Sequence, residues 1–169
     1  MKTRFIFILL FAVNYCNSQD WYKTSSAYLE SADSLKILEK YEGAYYCYTK
    51  ALGSYLGEAS EVKIVILSGL SQCAYMLHNY QSSITYATQA LELKNIKSTG
   101  YIHEVLLKAF LDNTYATIYY IRASAYQSIG EELKSCQDWN STIKYRVYSN
   151  KQFEDVIAII AKNCKGFDK

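Results

Sequence analysis

Apolar and small residues recur at intervals of three and four along most of the chain, which predicts a succession of amphipathic helices. The pattern is clearest over residues 119–143. Tyr119, Arg122, Ala123 and Tyr126 fall at helical spacing, Gly130 supplies a turn, and Ser135, Trp139 and Thr142 fall at the same spacing beyond it. Small residues on one helix can then receive large ones from the other, so the stretch predicts a helix hairpin. Two earlier stretches repeat it. Tyr41, Ala44, Tyr48, Ala51 and Leu52 stand at the same intervals as Tyr80, Ser83, Ala87, Ala90 and Leu91. Sixteen residues before Ala44, Ser83 and Ser135 come Tyr28, Leu67 and Tyr119, each followed four positions later by a small residue: Ala32, Ser71 and Ala123. The expected helices are 23–39 with 41–54, then 60–78 with 80–94, and a third pair around Gly130.

The order large-x-x-x-small-x-x-Tyr, turn, small-x-x-x-aromatic resembles the tetratricopeptide repeat, whose signature is W-x-x-L-G-x-x-Y followed by A-x-x-x-F. Ala123 stands in the place of the usual glycine and Ser135 in that of the usual alanine, while Asp138-Trp139 before Thr142-Ile143 resembles a common bacterial form of the second helix. The resemblance covers about two thirds of the chain. It implies an all-α fold, a short right-handed superhelix of three hairpins over about 24–57, 60–95 and 114–147. Successive repeats start 39 and 52 residues apart, against roughly 34 in the family. The second excess holds an apolar stripe, Ile102, Val105, Leu106, Ala109 and Phe110, between Gly100 and Asp112-Asn113. That stripe is either an inserted helix over 98–113 or an extension of the helix that follows. Asp112 and Asn113, as helix-starting residue types, favour the break. Phe153, Val156, Ile157 and Ile160 mark a last helix over 151–164, suited to cover the end of a helical stack.

At the start, Lys2 and Arg4 precede nine apolar residues, Phe5 to Val13, and then a short polar segment. This is the layout of a secretory signal peptide, with Cys16 and Ser18 obeying the small-residue rule for cleavage and residues 19–169 forming the mature domain. The apolar run is too short to span a bilayer, so no membrane insertion is expected after cleavage. Asn14 and Tyr15 disfavour the alternative in which Cys16 is the lipidated cysteine of a lipoprotein. Loss of residues 1–18 removes two of the 18 basic residues and none of the 16 acidic ones, so the mature chain is formally neutral. The pI of about 8.2 therefore carries no implication of nucleic-acid binding. The expected setting is periplasmic or secreted.

Export gives the cysteines meaning. Cys47, Cys73, Cys136 and Cys164 remain after cleavage, and an even number in an exported chain favours disulfides. Of the three possible pairings, Cys136 with Cys164 is favoured, because Cys136 neighbours the hairpin-facing Ser135 on the side expected to meet the last helix. This ending also resembles that of small exported bacterial repeat proteins. Cys47 and Cys73, on neighbouring helices, either pair or remain buried thiols.

Motifs for chemistry are missing. His78 and His103 have no carboxylates at ligand spacing and read as a turn residue and a helix-surface residue, so no metal site is expected. There is no C-x-x-C pair, nucleophile elbow or phosphate-cradling glycine loop, and no cofactor is expected. The acids, among them Glu131, Glu132 and Glu61, read as solvated helix caps. The expectation is a protein without catalytic activity.

The resemblance implies binding of a protein or peptide on the concave face lined by the first helix of each repeat. Carried over by register, that face comprises Leu29, Asp33, Lys36 and Ile37, then Ser68, Gln72, Tyr75 and Met76, then Tyr120, Ser124, Gln127 and Ser128. The places at which some family members clamp a C-terminal carboxylate hold Leu29, Asp33, Gly69, Thr117 and Ile121 instead, so chaperone-tail recognition is not expected. The reading is an interaction scaffold in a bacterial envelope. Alternatives are an accessory or assembly factor contacting its partner through 98–113, a sensor module of a larger signalling system, and an enzyme whose site is assembled from scattered carboxylates.

Overall fold

The computed structural model describes residues 25–55, 60–93, 104–145 and 151–164; the expected signal peptide and Cys16 lie outside them. Among the described residues there are helices and no strand: α1 (Ser25–Ile37), α2 (Tyr41–Ser54), α3 (Ser60–Met76), α4 (Tyr80–Glu92), α5 (Glu104–Ser128), α6 (Glu132–Lys144) and α7 (Lys151–Asn163). The fold is all-α, built from consecutive antiparallel pairs. It divides into two compact units, Met1–Gly57 with α1 and α2, and Glu58–Lys169 with α3 to α7.

Three pairs turn back in one way. Lys40, Asn79 and Glu131 each donate a backbone N–H to the carbonyl five residues earlier (Leu35, Ala74 and Tyr126) at 2.8–2.9 Å. The residue before each, Glu39, His78 or Gly130, has a positive φ and donates to the carbonyl three residues back. That is a Schellman ending, which satisfies the orphan carbonyls of the first helix and immediately starts the second. Gly130 (φ 80°) adopts this backbone without strain, whereas Glu39 (56°) and His78 (60°) bear a Cβ there. Asn79 also caps α4, its Oδ1 accepting from the Ser82 N–H at 3.2 Å.

Within each pair the helices meet at small residues. Ala32 with Ala44, Ser71 with Ser83 and Ala123 with Ser135 are all at most 3% exposed. Where serine occurs its hydroxyl is used: Ser71 Oγ donates to the Ser83 carbonyl at 2.9 Å, and Ser135 Oγ to the Ala123 carbonyl at 3.0 Å. In the first unit Tyr48 and Ala51 complete the buried seam of α2. In the second, Ile64, Ile66, Leu67 and Leu70 of α3 and Tyr115, Ile118 and Ile121 of α5 are buried, and α5 packs against both α3 and α4.

One expectation is corrected. The helix does not break at Asp112-Asn113; α5 runs through them without interruption. Asp112 pairs with Lys108 one turn earlier instead of capping a new start, and the hydroxyls of Thr114 and Thr117 bond back to the carbonyls of Phe110 and Asn113 at 2.9 and 3.0 Å. Asp and Asn inside a helix cost at most about 0.7 kcal/mol each relative to Ala. The burial of Tyr115, Ala116 and Ile118 immediately afterwards outweighs that. Residues 104–113 are thus the N-terminal part of a 25-residue helix, while 98–103 lie outside the described residues.

Candidate functional site

The first helices of the second unit, α3 and α5, pack side by side. Of the face expected to bind, they carry Gln72 and Tyr75 on α3 and Tyr120, Ser124 and Gln127 on α5. Gln72 is half-buried and Gln127 exposed, and neither makes a side-chain hydrogen bond among the described residues. Tyr75 is half-buried with its ring 5.7 Å from that of Tyr80. Ser124 is buried, its hydroxyl returned to the Tyr120 carbonyl at 2.9 Å. Tyr120 meets Trp139 edge to face at 5.2 Å and packs on the core cluster of Ala123, Cys136, Trp139, Val156 and Cys164. Its ring is thus committed to packing the end of the fold.

Asp33 and Lys36 lie in the first unit and are engaged with each other and with α2. Tyr48, fully buried, donates its hydroxyl to Asp33. Lys36 Nζ stands 3.3 Å from the same carboxylate and 5.6 Å from the centre of the Tyr48 ring.

The end of the second unit is closed by α7, which packs on α6. Cys136 and Cys164 are disulfide-bonded, with Cα atoms 5.6 Å apart. Val156 is fully buried beneath α7, and Ile159 and Ile160 pack at the edge of the same cluster. Cys73 is buried and belongs to no disulfide, whereas Cys47 is disulfide-bonded, so the two do not pair with each other and Cys47 is not the buried thiol of the alternative reading.

The site that the sequence reading missed is an ion pair. Arg122 donates from Nε and an Nη to the two carboxylate oxygens of Asp138 at 2.7 and 2.8 Å, and from its other Nη to Thr88 Oγ1 at 3.0 Å, tying α4, α5 and α6 together. The guanidinium carbon lies 5.7 and 5.8 Å from the ring centres of Tyr119 and Tyr126. Tyr145 stacks on Tyr119 at 5.6 Å and meets Tyr115 edge-on at 5.8 Å. Asp138 is only 4% exposed, which corrects the reading of the acids as uniformly solvated. Burial pushes its carboxyl above the usual carboxylate range, with the Arg122 hydrogen bonds and charge pulling the other way. For Arg122, burial opposes the charge and the Asp138 hydrogen bonds and charge outweigh it, so the guanidinium stays charged. Burial also raises the phenols of Tyr119 and Tyr115, the latter helped by the charges of Asp112 and Glu61. The signal for the pair was present in the sequence, since Arg122 and Asp138 sit on the two facing sides of one hairpin about Gly130.

Glu61 stands in the first turn of α3, as expected of a cap, but one carboxylate oxygen is buried without a hydrogen-bond partner among the described residues. His78 occupies a turn, its Nδ1 2.9 Å from the Tyr80 hydroxyl. Among the described residues no group of His, Cys, Asp and Glu is arranged to hold a metal ion, and no helix is long and apolar enough to cross a membrane. In comparison with known proteins, no family model matches the chain and no curated protein is significantly similar to it.

Proposed function

We propose that the protein is an exported, tetratricopeptide-like interaction scaffold of a bacterial envelope, without catalytic activity, that holds a peptide or partner helix along the face formed by α3 and α5. The observation that carries this reading is the threefold recurrence of one hairpin, with the same Schellman turn and the same small-residue crossing each time. A repeated packing unit presents the same helix face again and again, and this is how helical repeat proteins build extended binding surfaces. On the α3 and α5 face, Gln72 and Gln127, without side-chain hydrogen bonds among the described residues, and half-buried Tyr75, beside Tyr80 of its own hairpin, give such a surface hydrogen-bonding capacity and one aromatic anchor. Arg122, bonded on three sides, serves as the rivet that fixes α4, α5 and α6 beneath that face.

The test is capture from envelope extract by the tagged chain, alongside a Tyr75→Ala, Gln127→Arg double variant that retains its circular dichroism and melting temperature. Capture by the parent and loss in the variant supports the reading. Equal capture by both moves the contact elsewhere, with the exposed Phe110 segment of α5 next to be tested. No specific capture by either removes the binding reading.

A further inference from the structure

Between the third hairpin and α7 lies a cavity of about 260 Å³ whose wall includes Gln127, Glu132, Ser135, Trp139 and Asn163, together with Gly130 and the disulfide residue Cys136. We propose that this cavity receives the basic side chain, lysine or arginine, of the protein segment bound along α3 and α5; the inference rests on the binding reading above and adds a specificity to it.

Among the described residues the wall carries one formal charge, the carboxylate of Glu132, and no basic residue. Among the described residues Glu132 has no ion-pair or hydrogen-bond partner, whereas its neighbour Glu131 is held by Lys134 at 3.1 Å. The side chains of Gln127 and Asn163 are likewise uncommitted. Ser135 spends its proton on the Ala123 carbonyl, so toward the cavity its oxygen can only accept. Asn163 closes the C-terminal end of α7, where the last carbonyls carry partial negative charge and favour a cation. The N-terminal end of α6 has the opposite tendency, and Glu132 in its first turn offsets it. A group with several N–H donors and a positive charge thus meets acceptors and an unpaired carboxylate, while an anion meets Glu132. Size agrees, because a dry cavity of ~150 Å³ holds a benzene ring and this one leaves room for an alkyl stem and its charged head. Gln127 links the cavity to the α3 and α5 face, so a bound segment can place a side chain there without leaving that face.

The experiment uses the full mature chain and three small probes, the Nα-acetyl amides of lysine, arginine and norleucine, titrated into ¹⁵N-labelled protein. A Glu132→Gln variant and a Gln127→Ala variant are carried in parallel; both positions are exposed, and both variants are checked for an unchanged melting temperature. Expected are saturable shifts at the amides of Gly130, Cys136 and Asn163 with a basic probe, none with norleucine, and at least about tenfold weaker binding in Glu132→Gln. Equal response to norleucine, an unchanged affinity in Glu132→Gln, or shifts that spare those three amides overturns the proposal. If the basic probes fail while partner capture still depends on Tyr75 and Gln127, the cavity assignment falls and the scaffold reading stands. If capture fails and the basic probes bind, the reverse holds.

Discussion

Breaking the Cys136–Cys164 bond should release α7 while the hairpins stay folded. The bond closes a loop with a sequence separation of 28, for which the loop-entropy relation gives about 12 cal/mol/K, or about 3.6 kcal/mol at 25 °C. What remains to hold α7 is a narrow contact: Val156 is fully buried, Ile159 and Ile160 are partly so, and Ile157 is 48% exposed. A helix of 13 residues has little stability of its own in water, since isolated helices shorter than ~12–15 residues are marginal. Hydrogen exchange followed by mass spectrometry reads the effect directly. In a Cys136→Ser, Cys164→Ser protein, amides of 154–164 should lose up to about 400-fold of protection, which is ~3.6 kcal/mol at 1.4 kcal/mol per decade. Protection within α3 and α4 should change far less. Melting of the hairpins should fall by much less than the ~10 °C that the full ~3.6 kcal/mol would give at ~3 °C per kcal/mol for a domain of this size. Unchanged protection in 154–164 after loss of the bond would refute the reasoning, because it would mean that packing alone holds α7.

Replacing Arg122 by Met strands Asp138 in a buried position, and a loss of ~3–5 kcal/mol is expected at pH 7 by urea denaturation. That loss should shrink as the pH falls. The sign follows from Asp138, whose carboxyl is held above its ordinary value in the folded state: its contribution favours folding below the unfolded value near ~3.9 and disappears as the pH rises through the folded one. Without Arg122 the opposing pull is removed, and the folded value moves further up. Ala123→Leu places a large side chain where α5 and α6 cross at a fully buried alanine, and should cost ~1–3 kcal/mol or more by thermal denaturation. His78→Gly relieves a positive φ of 60° and should stabilise by ~0.5–1 kcal/mol, whereas Gly130→Ala, at φ 80°, should destabilise by about the same amount in the same assay.

Much of this architecture was legible in the chain because a helix writes its buried face at a fixed period. Ala32, Ala44, Ser71, Ser83, Ala123 and Ser135 are small for one reason, that two helix backbones cross there, and their equal spacing carried the hairpin reading. The Cys136–Cys164 pairing was legible from the same register. Tertiary context decided the rest. Asp112 and Asn113 have the chemistry of a helix start, and only the burial of Tyr115, Ala116 and Ile118 beyond them made one helix of α5. Tyr120 has the character of a binding anchor, yet the arrival of Trp139 at 5.2 Å turned it into packing. Asp138 is a charged residue of a kind that sequence places in water. It is buried because Arg122 reaches it across the hairpin and Thr88 holds Arg122 from α4. Local period is a property of neighbours in sequence and can be read from them, but which charge meets which depends on how separate helices are set beside one another, and only the folded chain brings those groups together.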